Sequence, residues 1–137
     1  MENLYNEMRY INMPKKPKDK NVIWVYDEIY NQDILVIFAP TYKEFLKLVK
    51  KEICFVPEDD NKPNNACGEF FVITNPHGTL VVVWSSNKTD TLIHECFHVC
   101  SRILRDRGID LCDETDECFA YYYTYLIRTI KERIKEK

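Results

Sequence analysis

Apolar positions along the chain fall into short β-rich runs first and helix-period stripes later. Val22 to Tyr26 and Ile34 to Phe38 are rich in β-branched and aromatic residues, and Asn31-Gln32-Asp33 suits a turn between them. Pro40-Thr41 then opens a predicted helix in which Phe45, Leu46, Val49 and Ile53 recur at intervals of three and four. The segment 57–67, PEDDNKPNNAC, has the composition of a loop. Two further strands are expected at Glu69–Thr74 and Thr79–Ser85, with Asn75-Pro76-His77-Gly78 as a hairpin turn. The last third reads as two helices. Thr89-Asp90 starts the first, and Gly108 ends it behind Arg102, Arg105 and Arg107, cations that suit a helix C-terminus. Asp113 is the expected N-cap of the second, followed by Glu114, Asp116 and Glu117. Its apolar stripe is Phe119, Tyr122, Leu126, Ile130 and Ile134, and KERIKEK forms a solvated tip.

Residues 1–20 contrast with this pattern. They read as a polar arm with Pro14 and Pro17 among lysines, and Tyr5, Met8, Tyr10 and Ile11 are the groups able to dock it on the body. The pattern therefore predicts one α+β domain over 21–137, with a short, mostly antiparallel sheet. At 137 residues and 45% hydrophobic content the chain has material for one core. The net charge of −3 provides no basic footprint for nucleic acid. The longest apolar run, Leu80 to Trp84, is too short to span a bilayer. The N-terminus carries acids and lacks the apolar segment of a secretory signal, so a cytoplasmic location and six reduced cysteines are expected.

The chemistry is concentrated in Thr91–Cys100, TLIHECFHVC, which contains HExxH as His94, Glu95 and His98. At about 100° per residue the two histidines lie about 40° apart on one helix face, so their imidazoles can converge on one ion. Glu95 projects about 100° from His94, where it can take a proton from water beside a metal. Apolar neighbours Leu92, Ile93, Phe97, Cys100, Ile103 and Leu104 surround the pair, and two buried histidines with no ligand would need partners for four ring nitrogens.

Zinc with a catalytic role takes three protein ligands and leaves one position open. The segment Asp113–Tyr121, DETDECFAY, resembles the second-helix segment of gluzincin metallopeptidases, which pair HExxH with a Glu ligand on the following helix. The resemblance covers roughly residues 69–130. It implies a zincin-like fold and a zinc-dependent peptidase. It also implies a substrate lying along the edge strand before the active helix, with Thr79–Ser85 in that role. Glu117, 19 residues after His98, takes the ligand position by this resemblance, and Glu114, one turn earlier, is the alternative. Many gluzincins carry an Asp four residues after that Glu; this chain has Tyr121. Orientation of the ligands would then fall to Asp113, Asp116 or a backbone carbonyl.

Cys96, Cys100, Cys112 and Cys118 invite a rival zinc site. Cys96 and Cys100, however, lie about 200° and 240° from His94 on the helix, and no CxxC spacing occurs. They are expected in the core as thiols. Tyr121, Tyr123 and His77 are the candidates for stabilising an oxyanion. Trp24 and Trp84 read as core or groove-lining residues. The functional expectation is hydrolysis of a peptide bond in a peptide or protein substrate, with Zn²⁺ on His94, His98 and Glu117 and Glu95 as general base. So small a domain has little chain for subsites, which suits action within a larger assembly. The rival is a zinc-stabilised interaction module without turnover, of the kind a phage or host-interaction protein would use. A metal-free adaptor is the third reading.

Overall fold

The structure is a computed structural model that describes residues 19–55, 57, 66–76 and 78–136. Most of the expected N-terminal arm, most of the 57–67 loop and His77 lie outside the described residues. In chain order the elements are β1 (Val22–Asp27), β2 (Gln32–Phe38), α1 (Tyr42–Ile53), β3 (Gly68–Asn75), β4 (Gly78–Ser85), α2 (Asp90–Asp106) and α3 (Asp116–Lys135).

Local signals start and stop several of these elements as the sequence requires. Asn31 takes φ 55° in the β1–β2 turn, a left-handed conformation that asparagine tolerates better than most residues. Thr41 caps α1 by accepting the Glu44 amide at 3.2 Å. Two boundaries differ from expectation. Thr89 makes no side-chain cap on α2; instead Asn87 Oδ1 accepts the amides of Thr89 and Thr91 at 3.0 and 3.1 Å. Asp113 does not cap α3 either. The Thr115 hydroxyl accepts the Cys112 amide and donates to the Asp110 carbonyl, which closes a turn there and delays the helix to Asp116.

The four strands assemble in the order β1-β2-β4-β3. β1 pairs with β2 and β3 with β4 in antiparallel fashion, but β2 and β4 run parallel, in register Ile34 against Val81 through Phe38 against Ser85. The sheet is thus mixed, with two of its three pairings antiparallel. The parallel seam forms because β2 leaves the sheet through α1, and the chain re-enters by way of β3 at the far edge. β4 is therefore interior. This corrects the expectation that Thr79–Ser85 is an edge: Leu80–Ser85 are all buried, and β3 is the edge strand. The run LVVVW carries the reason, since a strand covered on both faces has no polar side to alternate.

Helices cover both faces. Val22, Trp24, Leu35, Ile37, Leu80, Val82 and Trp84 point to α1, where Phe45, Val49 and Ile53 meet them. Ile23, Val25, Ile34, Val36, Val81 and Val83 point the other way, to α2 and α3. The period of two in each strand thus feeds two separate cores. Trp24 Nε1 finds a buried acceptor in Glu52 at 2.8 Å, and Trp84 Nε1 donates to the Ala39 carbonyl at 2.9 Å. Both indoles are core residues.

α3 is held to the sheet by a buried carboxylate. Asp27 is fully buried and accepts the Ile29 amide at 2.8 Å, the Tyr30 amide and the Tyr122 hydroxyl. Burial and the adjacent carboxylate push the Tyr122 phenol far above its ordinary range, so it remains a donor. Tyr122→Phe removes the one side-chain donor among these partners and leaves a buried carboxylate oxygen short. A loss of about 1–3 kcal/mol is expected, measurable by urea unfolding.

Candidate active site

α2 follows β4 after four residues, and its position on the sheet decides where HExxH points. Leu92, Cys96, Val99, Cys100, Ile103 and Leu104 turn into the core. The opposite side of the helix then carries His94 and His98, both exposed, which corrects the expectation of a pair surrounded by apolar groups: Leu92, Cys100, Ile103 and Leu104 face the core instead. Their Nε2 atoms are 3.2 Å apart, with ring centroids 4.8 Å apart and planes at 74°. At this distance one ring nitrogen can donate to the other, the direction depending on the tautomer. Two nitrogens on one tetrahedral zinc would be separated by about 3.3–3.4 Å, from Zn–N bonds of about 2.0–2.1 Å, so the rings already stand near a chelating separation.

Glu95 is placed between α2 and the edge strand. Its residue is 6% exposed, and its Oε2 is buried with no hydrogen-bond partner among the described residues. Desolvation raises the carboxyl pKa; the neighbouring His98 and His94 act in the opposite direction, and Glu69 on β3 adds to the rise. An unpaired buried carboxylate is costly, so its retention beside two imidazoles marks a site where something polar belongs.

Gly68, the first residue of β3, makes this arrangement possible. A Cβ there would lie 2.8 Å from Glu95 Cγ and 3.0 Å from both Thr91 Cγ2 and the Trp84 carbonyl oxygen. Gly68 is absent from the sequence-predicted site because nothing near it in the chain signals a close approach. Only the pairing of β3 with β4 reveals it. Gly68→Val forces either the edge strand or the Glu95 side chain to move, and a loss of about 1–3 kcal/mol is expected on thermal or urea unfolding.

The structure does not bring Glu117 to the histidine pair. Phe119, Tyr122, Leu126 and Ile130 are the buried stripe of α3, and Glu117 lies about 180° from its centre on the helix. The helix face that Glu117 shares with Ala120, Tyr121 and Thr124 does not pack on α2: all three residues are exposed, Tyr121 to 76%. Glu117 instead lines a cavity with Tyr30 and Tyr121. Glu114 is exposed in the turn before α3, where the Cys112 side chain and the backbone hold its carboxyl below the usual range. Among the described residues no group of three His, Cys, Asp or Glu side chains is arranged to hold a metal. His94 and His98 with Glu95 beside them therefore fit a divalent cation in part: two ligands and an adjacent carboxylate, without an assembled third ligand.

The other candidates are also placed. The Tyr123 hydroxyl donates to the Ile93 carbonyl at 2.9 Å, and its ring meets Phe97 at 5.8 Å, so it braces the helix pair beside the site. Tyr121 belongs to the cavity on the other side of α3. Cys96 and Cys100 are buried in the core as expected, and burial pushes both thiols up to about 12. None of the six cysteines is in a disulfide. Native protein at pH 8 should present the exposed Cys54, Cys67 and Cys112 to a disulfide reagent while Cys96 and Cys100 stay silent, and denaturation should release six thiols. Reaction of Cys96 in the native state would contradict this burial.

Among the described residues no helix is long and apolar enough to cross a membrane. Comparison with family models, with curated proteins and with solved structures finds no match to this chain.

Proposed function

We propose that this protein is a zinc-dependent hydrolase of peptide bonds, with His94 and His98 as metal ligands and Glu95 as general base. The observation that carries the reading is the pair of Nε2 atoms 3.2 Å apart with a buried carboxylate oxygen on Glu95 that has no partner among the described residues. A purely structural site has no use for that carboxylate, whereas hydrolysis needs a base beside the metal. Zn²⁺ held there supplies Lewis acidity toward a carbonyl and makes water more acidic.

The chain's own residues account for the rest of the chemistry. Glu95 is fixed by Gly68 on one side and by its place on α2 on the other, so its carboxylate has little freedom to turn from the site. Burial raises its proton affinity, which suits a group that accepts a proton and then returns it to a leaving amine. The edge strand β3 runs next to Glu95 and has one side without a strand partner among the described residues. A substrate backbone that adds to this edge would pass close to the carboxylate, which gives a peptide as the substrate class.

The rival reading, a zinc-stabilised module without turnover, draws on the lack of a third converging ligand among the described residues. Elemental analysis of purified protein, followed by digestion of an unbiased peptide library read by mass spectrometry, tests both. Zinc at one per chain with cleavage supports the hydrolase. Zinc without cleavage supports the module, and the absence of bound zinc after metal loading overturns both. Glu117→Gln is expected to keep zinc with an affinity within about twofold, because its carboxylate faces away from the pair. Loss of zinc in that variant would mean that α3 rolls toward α2 when metal binds.

A further inference from the structure

On the far side of α3 from the histidines, α3 and the β1–β2 turn form an open groove of about 680 Å³. Ile29 and Tyr30 form the turn side; Glu117, Tyr121, Tyr125 and Arg128 run along the helix side. This volume lies within the range of sites that hold a ligand or a short peptide. Two of its apolar groups are open to solvent: Ile29 is 53% exposed and Tyr121 76%. The turn itself is well anchored. Asp27 holds the Ile29 and Tyr30 amides, Arg107 donates to the Tyr30 carbonyl at 2.7 Å, and the Tyr125 hydroxyl accepts the Glu28 amide at 3.3 Å. The turn side is therefore held in place while the Tyr121 ring faces outward beside the half-buried Tyr30 and Tyr125, an arrangement suited to receiving an apolar chain.

The charges set the polarity of an occupant. Glu117 and Arg128 stand at opposite ends of the helix wall, 11 residues apart, which is about 16 Å at 1.5 Å per residue. Neither engages a side-chain partner among the described residues. Tyr121 and Tyr125, one helical turn apart, lie between them. A polyproline II chain rises about 3.1 Å per residue, so two of its residues five positions apart span the same length. Such a chain exposes its prolyl rings without losing conformational entropy on binding, and aromatic-lined grooves recognise it for that reason.

We propose that this groove binds an extended, proline-rich peptide segment with a basic residue at the Glu117 end and an acidic residue five positions away at the Arg128 end. It is a second peptide site, separate from the histidine pair, and does not depend on metal or on hydrolysis.

The test is an amide NMR titration of the full chain, in the presence of a chelator, with the acetylated and amidated hexapeptide Lys-Pro-Pro-Pro-Pro-Glu. Saturable shifts should concentrate at residues 29–30 and 117–128. Glu117→Lys should weaken binding about fivefold, because a solvent-facing ion pair contributes on the order of 1 kcal/mol, and replacement of both terminal peptide residues by Ala, which removes both pairs, should weaken it about 25-fold. Tyr121→Ala, at an exposed ring whose loss leaves the core intact, should weaken it further. Three results would overturn the proposal: no saturable shift at millimolar peptide, shifts centred elsewhere, or binding that is indifferent to both Glu117→Lys and the uncharged peptide. The chelator keeps these outcomes independent of the hydrolase reading, which stands or falls on zinc content and cleavage.

Discussion

Glu95→Gln is expected to retain Zn²⁺ and the native fold while hydrolysis falls by about 10²–10⁴-fold, the range of a lost general base. The amide keeps the shape that fits against Gly68, where a Cβ would come within 2.8 Å of Glu95 Cγ, so packing is preserved. It also removes a buried carboxylate oxygen that has no partner among the described residues. Stability should therefore hold or rise slightly, since an unsatisfied charge-bearing group is replaced by a neutral one. His94→Ala separates ligand from base. It removes one of the two rings that converge, and zinc should be lost together with activity. The measurements are metal content, urea unfolding and turnover of whichever peptide the library digestion identifies. Equal cleavage by wild type and Glu95→Gln would remove Glu95 from the mechanism. Zinc bound normally by His94→Ala would remove the pair as the metal site.

Trp84→Ala should have the largest effect on the fold. Trp84 is fully buried on β4 and stacks on Phe45 with ring centroids 5.8 Å apart. It also meets Tyr42 at 5.4 Å. Truncation leaves a cavity between the sheet and α1 and strands the Ala39 carbonyl, which accepts the indole N–H. The expected loss is about 3–5 kcal/mol, against a total stability of about 5–15 kcal/mol for a domain of ordinary size. Trp84→Phe, which retains most of the ring volume, should lose less, and the difference between the two variants measures the cavity. Because β4 leads directly into α2, Trp84→Ala should also loosen the histidine pair. Thermal unfolding with and without zinc would register both effects. A loss under about 1 kcal/mol for the Ala variant would mean that the α1 face is not a packed core.

Much of the fold is legible in the sequence because its causes are local. Thr41 caps α1 through its own side chain, Asn31 accepts a left-handed turn, and the strand runs are bounded by turn residues. The separation of Cys96 and Cys100 from His94 and His98 also follows from helical geometry alone, and the cysteines are buried while the histidines are exposed. The sequence by itself therefore determined the strands and helices and the two faces of α2, but not the exposure of the histidine pair, which it placed among apolar neighbours and which the structure leaves open to solvent. The Asn87 cap and the Thr115 turn also escaped the sequence, since each depends on loop geometry that brings a side chain back to the backbone.

Only the tertiary structure decided which strand is the edge. β3 and β4 form the same hairpin whichever of them pairs with β2; the parallel β2–β4 seam places β4 inside and leaves β3 at the boundary beside Glu95. It also decided the fate of Glu117. Spacing from His98 says how far along the chain a carboxylate lies, but not how the second helix is rolled. That roll is set by Phe119, Tyr122, Leu126 and Ile130 entering the core and by the Tyr122 hydroxyl reaching Asp27 on β1. With those contacts made, Glu117 faces a tyrosine-lined groove, and Gly68, with no motif of its own, becomes the residue against which Glu95 is packed. Periodicity is a property of one element, whereas convergence on a site depends on how elements are rotated against one another, and long-range packing fixes that rotation.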